Sequence, residues 1–356
     1  MRKNPLTFQL LILRTIDRLL ESRFFRFMRT PKNENGVELS RFVYFLLKLR
    51  KLGKVAALNS LTPEQSRERW LKELLPLRAN FPVAEVRPFR VPTSSGHLEA
   101  RLYIPEGPEK ISALMVYFHG GGFVFGDLET ADDSCRLLCQ ESRMPLLSVA
   151  YRLAPENPFP AAVEDAEAAV RWVQQNADLF GVRKESIVVG GNSAGATLAA
   201  VTAQVLSMTG APVLAQCLIY PMIDRTGSYE SLQRYDHDFY FNFGEREWFY
   251  THYLQENSGM ASDPRVSPIH APGGVALAPA LVVTAGFDIL RDEGQAYARY
   301  LRQRGGKTNE LCMEPLAHGF LNLVSIHSGS RRATREIGRS LHDLAQSELR
   351  TRVPRR

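Results

Sequence analysis

The feature of this 356-residue sequence that most restricts its fold is one pentapeptide, Gly191-Asn192-Ser193-Ala194-Gly195. An apolar run at 187–189 precedes it and a stretch of small and apolar residues follows, so the pattern predicts a strand, a tight turn and a helix. A side chain at either flanking glycine would collide with neighbouring strands, and the serine would adopt a strained backbone conformation. This turn lifts a serine hydroxyl clear of a sheet, as a nucleophile requires. A dinucleotide-binding loop does not fit, because it would need glycine at position 192 or 193.

A second glycine-rich segment lies upstream, directly after an apolar run at 115–118, and reads His119-Gly120-Gly121-Gly122-Phe123. Consecutive glycines at the end of a strand leave backbone N–H groups uncovered, and such groups can donate to a developing oxyanion without reorganising. Upstream of an elbow serine, the segment fits the oxyanion loop of lipases and esterases. The predicted donors are the N–H groups of Gly120, Gly121, Gly122 and Ala194.

A serine hydroxyl is too weak an acid to attack an ester unaided, so the site also needs a base and an acid that orients the base. On this kind of sheet the three occur in the order Ser, Asp or Glu, His. Asp288 closes a predicted strand, and sites gather at the carboxyl ends of strands. His318 lies on a predicted loop after the last strand. We therefore expect Ser193 as nucleophile, His318 as general base and Asp288 as the residue that orients the histidine.

Other acids and histidines compete for these roles. Asp292 and Glu293 are close to Asp288, but they fall in a predicted helix at 291–302, where a solvated face or a favourable charge at the helix N-terminus is expected. Three further histidines do not fit the order of the triad, namely His237, His252 and His270.

Strands alternate with helices over most of the chain. The strand candidates are residues 98–103, 115–118, 146–149, 187–189, 217–220 and 281–285. The alternation predicts an α/β fold with a mostly parallel central sheet covered by helices on both faces. Residues 222–272 interrupt the rhythm with a long aromatic-rich stretch, which is typical of a functional lid. We expect a helical cap made of this insertion and the N-terminal segment 1–80, over a catalytic domain at 81–350.

The N-terminal region is basic and amphipathic. Residues 1–56 hold 13 Lys and Arg against 4 Asp and Glu, a net charge of +9, and the remainder of the chain is −3. An apolar stripe is expected at helical spacing, opposite a polar face. The stripe comprises Leu13, Ile16, Leu20, Phe24 and Phe27, and the polar face comprises Arg14, Asp17, Arg18 and Glu21. A helix packed on the body is favoured over a helix on membrane headgroups, although both interpretations stay open.

Composition and cysteine spacing argue against several classes of protein. No zinc finger, helix-turn-helix or RNA-stacking signature accompanies the basic segment, so no nucleic-acid partner is expected. The cysteines lack paired spacing and are expected to be free thiols that bind no metal. The apolar run at 10–13 is far shorter than the roughly 20 residues needed to span a bilayer, and no cleavage site follows it. A cytoplasmic location is expected, with membrane association as the alternative.

Taken together, the motifs resemble those of the hormone-sensitive-lipase family of serine esterases, which includes bacterial carboxylesterases and arylacetamide deacetylase. The resemblance covers about residues 80–345. It rests on HGGGF at 119–123, YRLAPE at 151–156, PFPAA at 158–162, GNSAG at 191–195, DILRDEG at 288–294 and HGF at 318–320. It implies an α/β-hydrolase fold and the same three triad residues, with Gly121 and Gly122 favoured over Gly120 as oxyanion donors. Asn192, where many members have Asp or Thr, and Ile289, where many have Pro, depart from the pattern.

The expected activity is that of a carboxylesterase acting on short- to medium-chain acyl esters through an acyl-enzyme, without metal or cofactor. Its expected partner is a small-molecule ester, and a homodimer and a peripheral membrane contact are further expectations. A lipase and an amide deacetylase with the same triad remain alternatives. So does a non-catalytic receptor on this fold, like the plant gibberellin receptor, but that receptor lacks the histidine that His318 supplies here.

Overall fold

One eight-stranded sheet forms the centre of the molecule, with strand order β1-β2-β4-β3-β5-β6-β7-β8. The computed structural model describes residues 7–93, 96–108, 110–237, 239–273 and 277–352. The strands are β1 (Glu85–Thr93), β2 (Gly96–Ile104), β3 (Leu114–Phe118), β4 (Leu146–Val149), β5 (Ile187–Asn192), β6 (Ala215–Ile219), β7 (Ala280–Phe287) and β8 (Thr308–Ala317). The helices are α1 (Phe8–Leu20), α2 (Arg41–Leu52), α3 (Pro63–Leu74), α4 (Asp132–Ser142), α5 (Ala161–Gln175), α6 (Ala194–Met208), α7 (Glu230–Arg234), α8 (Phe243–Leu254), α9 (Arg291–Gln303) and α10 (Ser328–Arg352).

The predicted mostly parallel sheet is confirmed. Strands β3 to β8 run parallel to one another, and only β1 and β2 are antiparallel to their neighbours. Every residue of β3, β4, β5, β6 and β7 is buried, because α5 and α6 pack on one face and α4 and α10 on the other. All six predicted strands are present. Since the parallel strands end at one edge, the residues that follow them are brought together.

The two strands that the sequence pattern did not predict, β1 and β8, lie at the two edges of the sheet. β1 contains Pro88 and Pro92, and proline within a strand is tolerated at an edge. Ala150 donates its N–H to the carbonyl of Glu99, so the backbone groups of odd-numbered β2 residues are directed towards β4 and those of even-numbered β2 residues towards β1. The even-numbered residues of β2 pair with odd-numbered residues of β1. The backbone groups of even-numbered β1 residues are therefore directed away from the sheet, and the nitrogens of Pro88 and Pro92 lie on its outer edge.

Two helical segments lie outside the sheet and its covering helices. The N-terminal segment contains α1, α2 and α3, and the insertion between β6 and β7 contains α7 and α8. The segments meet where the side chain of Glu245 accepts a hydrogen bond from the backbone N–H of Leu58, at 3.3 Å. The predicted boundaries at 80 and at 222–272 both fall between elements of the sheet.

Helix α1 differs from the expected amphipathic helix. It ends at Leu20, so Phe24 and Phe27 do not continue its stripe and are 86% and 78% exposed. Asp17, expected on the polar outer face, is instead buried. Its carboxylate accepts the N–H of Ser328 at 2.9 Å, at the start of α10, where the helix dipole favours a negative charge. The outer face of α1 carries four exposed apolar side chains, Phe8, Leu11, Ile12 and Leu19, together with the exposed Thr15 and Arg18.

A buried polar cluster fixes the N-terminal segment to the body. His327 is 1% exposed, and its Nδ1 accepts a hydrogen bond from the backbone N–H of Ser330 at 3.1 Å. The ring proton is therefore on Nε2, which donates to the hydroxyl of Ser40 at 3.0 Å. That hydroxyl donates to Glu21 at 2.9 Å. Among the described residues, no helix has both the length and the apolar content to cross a bilayer.

Candidate active site

Ser193 lies in the turn between β5 and α6. Its backbone has φ 54° and ψ −124°, a conformation that a non-glycine residue rarely adopts. The turn is closely packed: a Cβ at Gly195 would lie 2.0 Å from the carbonyl oxygen of Phe118, and one at Gly191 would lie 2.5 Å from the same atom. Both flanking positions therefore exclude any side chain, and the strain orients the Ser193 hydroxyl away from the sheet.

A continuous path of hydrogen bonds joins Ser193 to His318 and Asp288. Ser193 Oγ is 3.1 Å from His318 Nε2, and His318 Nδ1 is 2.8 Å from Asp288 Oδ2. The remaining oxygen of Asp288 accepts the N–H of Leu290 at 2.9 Å. Because the carboxylate only accepts, Nδ1 carries the proton, and Nε2 is free to accept the proton of the serine. The structure thus brings together all three residues that the sequence predicted for the triad.

Two aromatic rings hold the imidazole of His318. Tyr220, just beyond β6, and Phe241, in the insertion, each have a ring centroid 4.7 Å from that of the histidine. Tyr220 is buried and Phe241 is 6% exposed. The rings leave the imidazole little freedom to turn out of the hydrogen-bonded line, and one of them comes from outside the sheet.

The backbone N–H groups of the glycine loop are not equivalent. Gly120 donates its N–H to the side-chain oxygen of Asn192 at 3.0 Å. Among the described residues, the N–H groups of Gly121, Gly122 and Ala194 have no acceptor, and that of Ala194 lies at the start of α6, where such groups lack a partner in the helix. The N–H of Gly120, also expected as an oxyanion donor, is thus already bonded to Asn192, and three of the four expected N–H groups have no acceptor in the described structure.

Asn192 joins the elements around the site. Its side-chain oxygen also accepts the hydroxyl of Tyr117 at 2.7 Å, and its amide group donates to the hydroxyl of Tyr220 at 3.2 Å. From the sequence alone, this residue is distinguished only as a departure from the family pattern. Its position gives the missing signal, because a polar residue that ends a fully buried strand needs polar partners. Asn192 fixes the glycine loop relative to the elbow.

The competing residues have other roles. Glu293 was expected on a solvated face or as a helix N-terminal charge; it lies in the first turn of α9 but is fully buried. It accepts the N–H of Ile223 at 2.7 Å and lies 3.6 Å from Arg246 of α8. Burial raises the pKa of Glu293 to about 7. Asp292 accepts the N–H of Ser231 at 2.9 Å. Both acids therefore fix the insertion to α9 rather than acting at Ser193.

A cavity of about 380 Å³ opens onto Ser193. The loop glycines and His318 form its polar end. Most of the remaining wall from the N-terminal segment and the insertion is apolar, and comprises Leu13, Leu46, Leu49, Val55, Leu58, Leu74, Leu77, Trp70, Tyr240, Phe241 and Phe249. Arg50, Arg69 and Glu73 of the N-terminal segment also line the cavity. Such a wall suits an acyl chain, since burying apolar surface is favourable by roughly 25 cal/mol per Å². His237, His252 and His270 do not line the cavity.

A sequence profile described as alpha/beta hydrolase fold matches residues 115–322, which is more than half of the chain. The chain belongs to this α/β-hydrolase family. The match confirms the resemblance drawn from the motifs. A carboxylic ester hydrolase, LipN of Mycobacterium tuberculosis, is 41% identical over 71% of this chain and 69% of that protein. An ethyl acetate hydrolase of Pseudomonas putida is 33% identical over 81% of this chain and 92% of that protein.

Solved structures agree with this assignment. The hyperthermophilic esterase of Pyrobaculum calidifontis is 38% identical, with a TM-score of 0.81, and the match covers 87% of this chain and 99% of that protein. An α/β-hydrolase enzyme from the metagenome of Lake Arreo gives a TM-score of 0.80 at 34% identity. That match covers 89% of this chain and 99% of the other.

Proposed function

We propose that this protein is a carboxylesterase, a serine hydrolase that cleaves short- to medium-chain acyl esters through an acyl-enzyme intermediate. The observation that carries the proposal is the hydrogen-bonded path from Ser193 through His318 to Asp288, beside three backbone N–H groups that have no acceptor in the part of the chain that the structure describes. The names of the relatives favour an ester over an amide as substrate, since both curated relatives described above are ester hydrolases.

In the proposed reaction, Ser193 Oγ attacks the ester carbonyl carbon while His318 Nε2 takes the proton of the hydroxyl. The carbonyl oxygen becomes negatively charged, and the N–H groups of Gly121, Gly122 and Ala194 donate to it. The imidazolium then gives its proton to the departing alkoxide, which leaves as the alcohol. A water molecule, deprotonated by the same nitrogen, cleaves the acyl-enzyme and releases the acid.

Asp288 has a different role from the other two members of the triad. Its carboxylate accepts a hydrogen bond from the Nδ1–H of His318, and this bond selects the tautomer whose Nε2 can take a proton from the serine. Its negative charge also stabilises the imidazolium that forms during attack. The side chain of Asp288 is fully buried, so water does not screen this interaction.

The proposed division of the chain follows from the cavity wall. Residues 81–350 supply the triad and the glycine loop as a catalytic domain, whereas residues 1–80 and the insertion at about 222–272 act as a cap that closes the acyl pocket. Leu13 and Leu46 from the first segment and Phe241 and Phe249 from the second support this division. The cap therefore selects the acyl group.

Further proposals concern partners and location. The cap carries exposed apolar and basic side chains, and we propose that it contacts a membrane surface; a homodimer formed through the same surface is the alternative. The four cysteines are unpaired, which suits a reducing compartment such as the cytoplasm.

Turnover of p-nitrophenyl esters from acetate to palmitate, with a matched anilide, tests the proposed function. We expect a maximum between butyrate and decanoate and little hydrolysis of the anilide. Ser193→Ala should lower kcat on the order of a million-fold. Wild-type-like hydrolysis by that variant, with folding unchanged by circular dichroism, would contradict the nucleophile assignment. An optimum at palmitate would favour the lipase alternative, and efficient cleavage of the anilide the deacetylase.

A further inference from the structure

Exposed apolar side chains are concentrated on the N-terminal part of the cap. Of the thirteen large apolar side chains exposed in the described parts of the chain, ten belong to residues 8–75. Six of these ten lie on the outer face of α1 and in the turn that follows it: Phe8, Leu11, Ile12, Leu19, Phe24 and Phe27. We call these six residues the α1 surface. Large exposed apolar side chains concentrated on one short segment are typical of an interaction site.

Basic side chains accompany the α1 surface. Arg18, Arg23, Arg26 and Arg29 are exposed, and none of them forms an ion pair with any residue that the structure describes. Phe24 and Phe27 lie between these arginines in the sequence. Aromatic residues interleaved with unpaired arginines suit the boundary between lipid headgroups and acyl chains.

The apolar surface of the cap also reaches the active-site cavity. Leu13 of α1 lines the cavity, and it is adjacent in sequence to the exposed Ile12. Leu49 and Val55 line the cavity as well and are 46% and 41% exposed. Leu49 and Val55 therefore contact both the cavity and solvent, and they place apolar side chains at the exposed side of the cavity.

We propose that the α1 surface docks on an anionic lipid bilayer and that the cavity takes its ester substrate from that bilayer. The second half of this statement rests on the proposed esterase activity. The four arginines favour a membrane over a second copy of this chain as the partner of the α1 surface. They attract anionic headgroups, whereas two copies joined through this surface would bring eight arginines together, and like charges repel. The substrate class is an ester whose acyl chain partitions into lipid.

Binding is tested by flotation with vesicles of phosphatidylcholine alone and of phosphatidylcholine with phosphatidylglycerol. We expect binding to the anionic vesicles, weakened by salt because exposed charges are screened. Phe24→Ser with Phe27→Ser, and separately Arg23→Gln with Arg26→Gln, should each reduce binding on the order of tenfold. The matched control variants are Leu179→Ser, 63% exposed outside the cap, and the exposed Arg183→Gln.

Substrate delivery is tested with a decanoyl ester incorporated in the anionic vesicles and, in parallel, with p-nitrophenyl butyrate in solution. The phenylalanine double variant should lose about tenfold on the vesicle-borne ester and keep its rate on the soluble ester within about twofold. Equal loss on both esters, or none on either, would overturn the proposal. Failure of the wild-type protein to bind anionic vesicles would also overturn the proposal. So would elution of the wild type as a dimer that dissociates to a monomer in the phenylalanine double variant. If the wild type binds vesicles but hydrolyses neither ester, the esterase assignment fails and the docking surface stands.

Discussion

The catalytic body and the N-terminal cap place their apolar residues in opposite ways. Strands β3 to β7 bury every residue, whereas α1 buries only Leu10 and Leu20 among its apolar residues and leaves four others largely exposed. The body positions the reacting groups through backbone turns packed at contact distance. The cap contributes side chains that form a pocket wall and an outer surface. We infer that the body determines whether an ester is cleaved and the cap determines which ester arrives.

The contacts that attach the cap to the body also differ in kind from the contacts that hold the strands of the body together. Strands bond to each other through ladders of backbone groups, whereas α1 is fixed to the body by individual side chains such as Arg14, which donates to the carbonyl of Ser325, and Asp17, which accepts from the N–H of Ser328. Substitutions in the body should therefore act on the rate, and substitutions in the cap should act on specificity and attachment. The predictions below test that division.

After the loss of the nucleophile Ser193 itself, the largest effect is expected in the body, at Asp288. Asp288→Asn should lower kcat roughly 10⁴-fold, because an amide can donate to Nδ1 and so stabilises the wrong tautomer of His318. Turnover of p-nitrophenyl butyrate measures the effect. Asp292→Asn is the matched control, since that carboxylate bonds to Ser231, and it should change the rate by a few-fold at most. Similar losses in the two variants would contradict the assignment of Asp288.

A smaller loss is expected at Asn192, which holds the glycine loop. Asn192→Leu leaves the N–H of Gly120 and the hydroxyl of Tyr117 without their acceptor. Unpaired buried donors cost about 1–3 kcal/mol, and because 1.36 kcal/mol is a factor of ten in rate, kcat should fall roughly 10- to 100-fold.

The change at Asn192 should lower kcat and leave KM nearly unchanged. The N–H groups of the loop donate to the negatively charged oxygen of the transition state more strongly than to the neutral carbonyl of the bound ester. Asn192→Asp keeps the acceptor and should recover most of the rate. A variant whose KM alone rises would indicate a substrate contact rather than a positioning role.

The attachment of the cap should weaken in acid. Burial, with Arg331 and Arg332 nearby, lowers the pKa of His327 from 6.5 to about 3. The unfolded chain therefore binds a proton at this histidine that the folded protein does not bind, so His327 lowers the stability of the fold as pH drops below 6.5. At 1.36 kcal/mol per pH unit, the contribution of His327 to the free energy of unfolding should fall by about 2 kcal/mol between pH 6.5 and pH 5. The raised pKa of Glu293 acts in the opposite direction over the same range, so the contribution of His327 is the difference between the wild type and a variant that lacks this histidine.

Urea denaturation at several pH values measures this loss. The free energy of unfolding of His327→Gln, relative to the wild type, should rise by about 2 kcal/mol from pH 6.5 to pH 5. His237→Gln, at an exposed site, should keep the wild-type pH dependence. If the free energy of unfolding of the His327 variant depended on pH as that of the wild type does, His327 would not be a cause of the pH dependence.

The smallest effect is expected in the pocket wall of the cap. Leu13→Trp fills part of the cavity and should lower kcat/KM on the decanoate about tenfold, since pocket contacts of one or two methylenes are worth about 1–3 kcal/mol. The rate on butyrate should stay within about twofold. Leu19→Trp, on the outer face of α1, is the control. Equal losses on both esters would show that Leu13 supports the fold rather than selecting the acyl group.

The body was more predictable from sequence than the cap, for physical reasons. Buried parallel strands are continuous apolar runs, so all six were visible, and the glycines of the elbow mark a turn that admits no side chain. The edge strands β1 and β8 carry prolines and charges, which mask a strand pattern. The burial of Asp17 depends on a contact with Ser328, more than three hundred residues away, which no local pattern encodes.

The donor set and the role of Asn192 show a similar limit. A run of three glycines identifies a loop with uncovered N–H groups, but only the fold determines which of them already has an acceptor. The bond from Gly120 to Asn192 joins residues 72 positions apart.

The prolines of β1 also bear on how the molecule behaves when crowded. A strand edge with a full row of free N–H groups is a template on which another chain can add a strand, and this is how fibrillar aggregates begin. At Pro88 and Pro92 that row is interrupted, because neither nitrogen carries a hydrogen. Molecules gathered side by side on a surface would meet at high local concentration, and this edge offers them an incomplete template for strand addition.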